Sequence, residues 1–195
     1  MTDSKLASAT TAAPGKRERL IDAARQLLHR QGVEKTTIAD IARVADVPVG
    51  NIYYYFKTKD DLVRAAITAY QGDVTELLAS LEHHRTPRAR LKAFVRVLVS
   101  HSDEMARYGC PQGTLCSELD KRDDDLTRSA ADLLRPSVDW AEQQFRTMGR
   151  PDARDLAMAL IASYQGISLL ANTFRDPDLI QREARRLERW IDTLT

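Results

Sequence analysis

Two cysteines among 195 residues are too few for a disulfide framework, which excludes the small stapled domains of secreted proteins. No apolar run approaches the roughly 20 residues of a membrane-spanning helix, so an integral membrane protein is not expected. Met1 to Pro14 has no apolar core of signal-peptide type. This stretch is rich in Ala, Ser and Thr and reads as a disordered tail, and a cytoplasmic location follows by default. Signatures of catalysis are missing as well: there is no Gly-x-Ser-x-Gly, no Gly-rich phosphate loop and no His-Glu-x-x-His. His29, His83, His84 and His101 do not combine with the two cysteines at zinc-ligand spacing. Asp120 to Asp125 is read more simply as a solvated helix start than as a metal site. No catalytic residue, metal or cofactor is therefore expected.

What is present is ordinary for a globular chain, with 43% apolar and 29% charged residues. The length fits one medium domain, or a small one joined to a larger, with enough chain to bury a core. The net charge is only +1, but it is unevenly spread. Residues 1–59 hold ten Lys and Arg against six Asp and Glu, and residues 60–195 hold nineteen against twenty-two. A basic first third is the footprint of a nucleic-acid contact. Chance alone can also produce so small an excess.

The hydrophobic pattern is helical almost throughout. Leu20, Ile21, Ala24, Leu27 and Leu28 share one stripe, with Gly32 as its C-cap. Thr37-Ile-Ala-Asp40 and Thr58-Lys-Asp-Asp61 are capping-box patterns that start a short and a long helix. A further helix is predicted from Thr86-Pro87 through Met105, then a break at Gly109-Cys-Pro-Gln-Gly113 and a short helix over Leu115 to Leu119. Asp123 to Asp125 favour the start of the next helix, which Pro136 kinks and Gly149-Arg-Pro151 ends. Two more follow, Asp155 to about Thr173 and Pro177 to Leu194. No alternating strand pattern and no internal repeat is visible. The fold class is all-α, about nine helices. A tail over 1–14 and a three-helix unit over 15–60 precede a larger helical domain over 61–195.

Thr36 to Phe56 carries the functional signal. Two short amphipathic helices meet at Ala45-Asp-Val-Pro48, the geometry of a helix-turn-helix. Val47 is the apolar pin of the turn. Asp46 lies where a left-handed residue is expected, and Asp is among the few non-glycines that tolerate it. In Gly50-Asn-Ile-Tyr-Tyr-Tyr-Phe56, placing Ile52 inward at about 100° per residue leaves Phe56 on the same face and Tyr54 pointing away. Four consecutive aromatics cannot all be buried on one helix. An outward tyrosine beside basic residues suits DNA, since its hydroxyl reaches phosphate and its ring packs on sugar or a thymine methyl. Gly50 lets the backbone approach base edges closely.

Leu20-Ile-Asp-Ala-Ala, Gly32, Thr37-Ile-Ala-Asp-Ile-Ala, Val47, Gly50-Asn-Ile-Tyr-Tyr-Tyr-Phe56 and Lys57-Thr-Lys-Asp-Asp-Leu62 occur in order and at matching spacing. With them, residues 15–70 resemble the DNA-binding domain of the TetR/AcrR family of bacterial transcriptional repressors. Asp46 stands for the family's common Gly, and Asn51 for a common Ser or Thr. The resemblance implies that the third helix enters the major groove of double-stranded DNA. Val49, Gly50 and Tyr54 are then base-edge candidates, and Ala39 offers apolar contact from the second helix. Thr37, Asn51, Tyr53, Tyr55 and Lys59 match phosphate-contacting positions. The plainer readings are an N-cap for Thr37, a half-buried packing residue for Tyr55 and a solvated lysine for Lys59.

The resemblance also implies a homodimer with a small-molecule inducer. From the residues, the last two helices are the dimer candidates, through Leu156, Leu160, Ile167, Leu187, Trp190 and Ile191. They could equally cover the monomer core. Met105, Tyr108, Cys110, Cys116, Trp140, Phe145, Met158 and Tyr164 are candidate linings of a mostly apolar pocket, or plain core. Gly109-Cys110 with Glu118-Leu119 resembles a motif in one branch of the family, near its ligand core. Cys110 is accordingly a candidate thiol sensor of oxidants or electrophiles, or else an inert buried thiol. The expected function is a repressor released from a palindromic operator by a largely apolar inducer. Alternatives are a nucleoid-associated or division-linked DNA-binding protein of the same fold, or a repressor sensing through Cys110.

Overall fold

In the computed structural model, residues 14–121 and 125–194 are described, and they form ten α-helices with no strand among them. Asp123, Asp124 and nearly all of the expected tail lie outside the described residues. The first three helices are α1 (Lys16–Lys35), α2 (Ile38–Val44) and α3 (Val49–Tyr55). The long α4 (Lys59–Leu81) follows, then α5 (Pro87–Ser100), α6 (Ser102–Tyr108) and α7 (Pro111–Leu119). The chain ends with α8 (Asp125–Thr147), α9 (Ala153–Phe174) and α10 (Pro177–Thr193).

Both capping boxes form. Thr37 accepts from the Asp40 N–H at 3.1 Å and donates its own N–H to the Asp40 carboxylate at 3.3 Å. Thr58 and Asp61 repeat the exchange at 3.1 and 3.0 Å. Hydrogen bonds from Thr37 hold the Asp40 carboxyl below its ordinary pKa, and those from Thr58 do the same for Asp61. These two caps fix where α2 and α4 begin, and so how the turn and α3 are held between them.

The helix expected to run unbroken from Thr86 to Met105 divides at His101. The hydroxyl of Ser100 and the ring of His101 both reach the Val97 carbonyl, at 2.8 and 3.0 Å. Such side-chain bonds compete with the helical ladder. α8 continues past Pro136.

Three apolar clusters organise the chain. The first unites Leu20, Ala24 and Leu27 of α1 with Ile41, Val47, Ile52, Phe56 and Leu62. The second joins Leu28 and Val33 of α1 to α4, α7 and α8. The third fills the space between α4, α5, α8, α9 and α10. Among the described residues only α4 contributes to all three, through Leu62, then Val63 to Tyr70, then Val74 to Leu81. The expected boundary at 60/61 thus falls at the start of a helix whose first turn still packs on α1–α3. By length and a mean hydropathy of 1.2, α9 is apolar enough to cross a bilayer. Its Leu160, Ile161, Tyr164 and Ile167 are instead buried in the third cluster, so it is a core helix.

Candidate nucleic-acid interface and ligand cavity

The turn after α2 folds as its residues dictate. Asp46 takes φ +51, in the left-handed region. The Val47 N–H bonds to the Ala42 carbonyl at 3.0 Å and its side chain is buried in the first cluster. Pro48 precedes α3 in an extended conformation, as proline dictates.

On α3, Ile52 and Phe56 anchor the helix inward. Val49, Gly50, Asn51, Tyr53, Tyr54 and Tyr55 are all exposed. Tyr54 is the extreme, at 81%, with its ring edge-on to Tyr55 at 5.1 Å between centroids. Tyr55 is the least open of the three tyrosines, at 37%. A Cβ on Gly50 would meet nothing within 4 Å. Ala39 is exposed beside Asp40 on α2, and Thr37 is exposed while capping that helix. Lys57 donates its ammonium to the Tyr53 carbonyl at 2.6 Å, which caps the end of α3. Lys59 is half-buried and reaches the Glu34 carbonyl at 3.3 Å, so it also ties α4 to the end of α1.

A second feature is a cavity of about 550 Å³ between α1 and helices α4 to α9. Its floor is apolar: Val74, Leu77, Phe94, Met105, Ile161 and Tyr164. Phe94 and Tyr164 stack with centroids 5.1 Å apart. Burial raises the Tyr164 hydroxyl pKa far above its ordinary value. Its polar lining includes a patch from α1, through Asp22, Arg25, Gln26, His29 and Arg30. Arg25 pairs with Asp73 and covers the Tyr70 ring at 4.7 Å, while the Tyr70 hydroxyl donates to the Arg25 carbonyl at 3.1 Å. Burial pushes the Tyr70 hydroxyl up to about 12. His29 bonds to the Gly109 carbonyl at 2.9 Å.

Of the eight predicted pocket residues, Met105, Cys110 and Tyr164 line this cavity. The other five do not, each for a visible reason. Tyr108 lies outside, flanked by the guanidinium groups of Arg30 and Arg107. Cys116 belongs to the second cluster and donates to the Ala130 carbonyl at 3.2 Å; burial pushes its thiol up to about 11. Trp140 packs on Phe94 and is held by its N–H bond to Glu82 at 2.9 Å. Phe145 is buried against Trp190. Met158 is exposed, about 120° round α9 from Tyr164. The polar wall was missed, although Asp22, Arg25, Gln26 and His29 have the spacing of a single helix face. Cys110 caps α7, and its sulfur accepts from the Gly113 N–H at 3.5 Å and from Gln165 at 3.6 Å.

The expected dimer residues divide by their burial in the chain. Leu160 and Ile191 have no exposure in the chain alone, Ile167 and Leu187 are nearly buried but line a groove with Trp190, and Leu156 and Trp190 are half-buried. The apolar residues that α9 does expose are Met158, Leu169, Leu170 and Phe174. Beside them, Ala159, Ser163 and Gly166 with Leu187 and Trp190 of α10 line a groove.

Two short helices joined at a pinned turn, the second anchored behind and open in front, define a helix-turn-helix protein. A family model for bacterial regulatory proteins of the tetR family matches residues 20–66. A model for the C-terminal domain of LmrA/YxaF-like transcriptional regulators matches residues 87–186. The transcriptional regulator AcuR of Cereibacter sphaeroides is 30% identical over 191 residues, covering 90% of this chain and 85% of that protein. An uncharacterized HTH-type transcriptional regulator of Lactococcus lactis is 29% identical over 173 residues, covering 85% of this chain and 87% of that one. A solved structure, the regulatory protein TetR from Rhodobacter sphaeroides, superposes with a TM-score of 0.78 at 28% identity, covering 89% and 97% of the two chains. The chain belongs to the TetR family: it is a DNA-binding transcriptional regulator and not an enzyme.

Proposed function

We propose that the protein is a homodimeric, ligand-responsive repressor, acting in the cytoplasm on a palindromic operator. The observation that carries this reading is the outward face of α3. Gly50 lies in the first turn of α3 with open space beside it, and Tyr54 next to it on that face is 81% exposed. Contact with the major groove accounts for three exposed tyrosines on one short helix, and Gly50 leaves room for a close approach. Val49, Gly50, Tyr54 and Ala39 face base edges, while Thr37, Asn51, Tyr53, Tyr55 and Lys59 hold the backbone. The reading unit is 15–60, whose α1 also borders the cavity, and 61–195 supplies the rest of the ligand site and the surface for the partner subunit. The partner docks on the exposed side of α9, where Met158, Leu169, Leu170 and Phe174 adjoin the groove along α10. The ligand has an aromatic or aliphatic body for the Phe94–Tyr164 floor and a hydrogen-bonding end for the α1 wall.

Selection from a random duplex library tests the DNA claim. The reading expects an enriched palindrome with half-sites about 34–36 Å apart, or a multiple of that. Recovery of unenriched sequence contradicts it. A second reading, sensing through the thiol of Cys110, is favoured by one observation: that residue lines the cavity. Operator affinity that changes on iodoacetamide treatment of the wild type but not of Cys110→Ser supports it, and identical responses reject it.

A further inference from the structure

Helix α7 touches two places at once. At its N-terminal end, Cys110, Pro111 and Gln112 form part of the cavity wall. At its C-terminal end, Glu118 accepts a 2.6 Å hydrogen bond from the backbone N–H of Val33. The two ends are about 10 Å apart along one stiff helix.

Val33 is the residue at which α1 is broken. Gly32 has φ +83 and ψ 172, far from helical values. That turns the next N–H off the helical ladder, and a backbone donor in such a place needs another acceptor. Glu118 supplies it, and the carboxylate lies so close that a Cβ on Gly32 would sit 2.6 Å from its Oε1. The side chain of Val33 is buried in the same cluster as Leu115, Cys116 and Leu119 of α7. Backbone and side chain of this one residue are therefore both held by α7. On its far side, Thr36 closes on Gly32 and Val33 with bonds of 2.6 and 3.3 Å, and Thr37 caps α2. Val33 lies four positions before Thr37, the N-cap of α2.

The first part of α1 also borders the cavity. Its tilt is not carried rigidly past Gly32, because the ladder is interrupted there. α7 bypasses the interruption. Its Gly113 also lies against the Gln165 side chain of α9.

We propose that α7 is the strut that relays occupancy of the cavity to α2 and α3, with Glu118 as its point of contact on the broken end of α1. The proposal rests on the reading of the cavity as a ligand site. A ligand that displaces the Cys110–Gln112 wall carries Glu118 with it, and the Val33–Thr37 segment follows. Because a ligand shifts an equilibrium only by its differential affinity, a looser strut weakens the coupling without abolishing binding.

Anilinonaphthalene sulfonate, a fluorescent aromatic anion, serves as the probe on the full chain, with hydrogen exchange read by mass spectrometry. In the wild type, saturation changes exchange in peptides covering 105–112 and also 32–41. In Glu118→Gln, probe affinity stays within about twofold and the 105–112 change persists, but the 32–41 response is lost. The Val33 amide also exchanges about tenfold faster in that variant, as loss of a charge-assisted bond predicts. A wild-type response at 32–41 in Glu118→Gln overturns the strut, as does a wild-type chain whose 105–112 responds while 32–41 does not. Silence at 105–112 at every probe concentration overturns the ligand-site reading itself, and the strut with it. Should Glu118→Gln fail to fold, the Val33 amide resonance of the wild type decides. It must move with the same midpoint as the probe fluorescence, and a stationary resonance contradicts the proposal.

Discussion

Ile52 and Tyr54 stand two residues apart on α3 and face opposite ways, one 0% and the other 81% exposed. The roughly 200° between them is simply helix geometry, but its consequence is specific. Ile52 locks the helix onto the first cluster with Ile41 and Leu62, so the presentation of Tyr54 is set by a core contact rather than by a loop. A rigid helix presenting an aromatic side chain beside an unfilled glycine position is arranged to read a surface, not to finish a fold.

The proposed dimer face is testable by charge. Leu169→Glu or Phe174→Glu, each at a position 65% exposed in the chain alone, is expected to leave helicity unchanged and to shift sedimentation to a monomer, with the melting temperature lowered only by the loss of subunit association. A mutant that remains dimeric places the seam elsewhere. By contrast Leu160→Glu, at a position with no exposure at all, buries an uncompensated charge and costs several kcal/mol. Circular dichroism then shows unfolding rather than a clean monomer.

The contrast between these positions also shows what sequence could reveal. Thr37, Thr58, Asp46 and the tyrosine run are local signals: a cap, a turn and an aromatic excess are each decided within a few residues, and they are legible. α9 is apolar nearly all round, so periodicity names it as important but cannot choose which stripe faces the core and which faces out. The break at His101 depends on competition for a single carbonyl, a contest that composition does not display. The cavity was half legible for a similar reason. Met105, Cys110 and Tyr164 are conspicuous soft or aromatic residues, whereas Arg25 and His29 belong to a helix already explained by its role under the reading head.

Asp46 supplies a backbone prediction. Its φ of +51 is tolerable for aspartate and strained for a β-branched residue. Its carboxylate is almost fully exposed and lies 3.8 Å from Arg19, a contact worth little. Asp46→Val is expected to lower stability by more than about 1 kcal/mol in urea titration. Asp46→Gly is expected to stay within about 0.5 kcal/mol, since relief of strain is offset by greater freedom of the unfolded chain. Equal effects of the two would place the strain elsewhere.

Acid dependence follows from the two capping carboxylates. Asp40 and Asp61 are both lowered in the folded state, chiefly by hydrogen bonds from Thr37 and Thr58. A depressed carboxyl stabilises the fold fully above the unfolded value, near pH 4, and that contribution is lost as pH falls through the folded values. The melting temperature of the wild type should therefore fall more steeply below about pH 4 than that of Asp40→Asn/Asp61→Asn. Parallel curves would show that the caps do not titrate with folding.

The central claim is that α3 reads duplex DNA through its open face, and Tyr54→Ala measures it most directly. Fluorescence anisotropy on the duplex selected by the wild type should show affinity lowered roughly five- to a hundredfold, with relaxed preference at one base position of each half-site. The melting temperature should be unchanged, because the ring touches little of the chain. Full affinity and unaltered preference in a folded Tyr54→Ala protein would contradict the account.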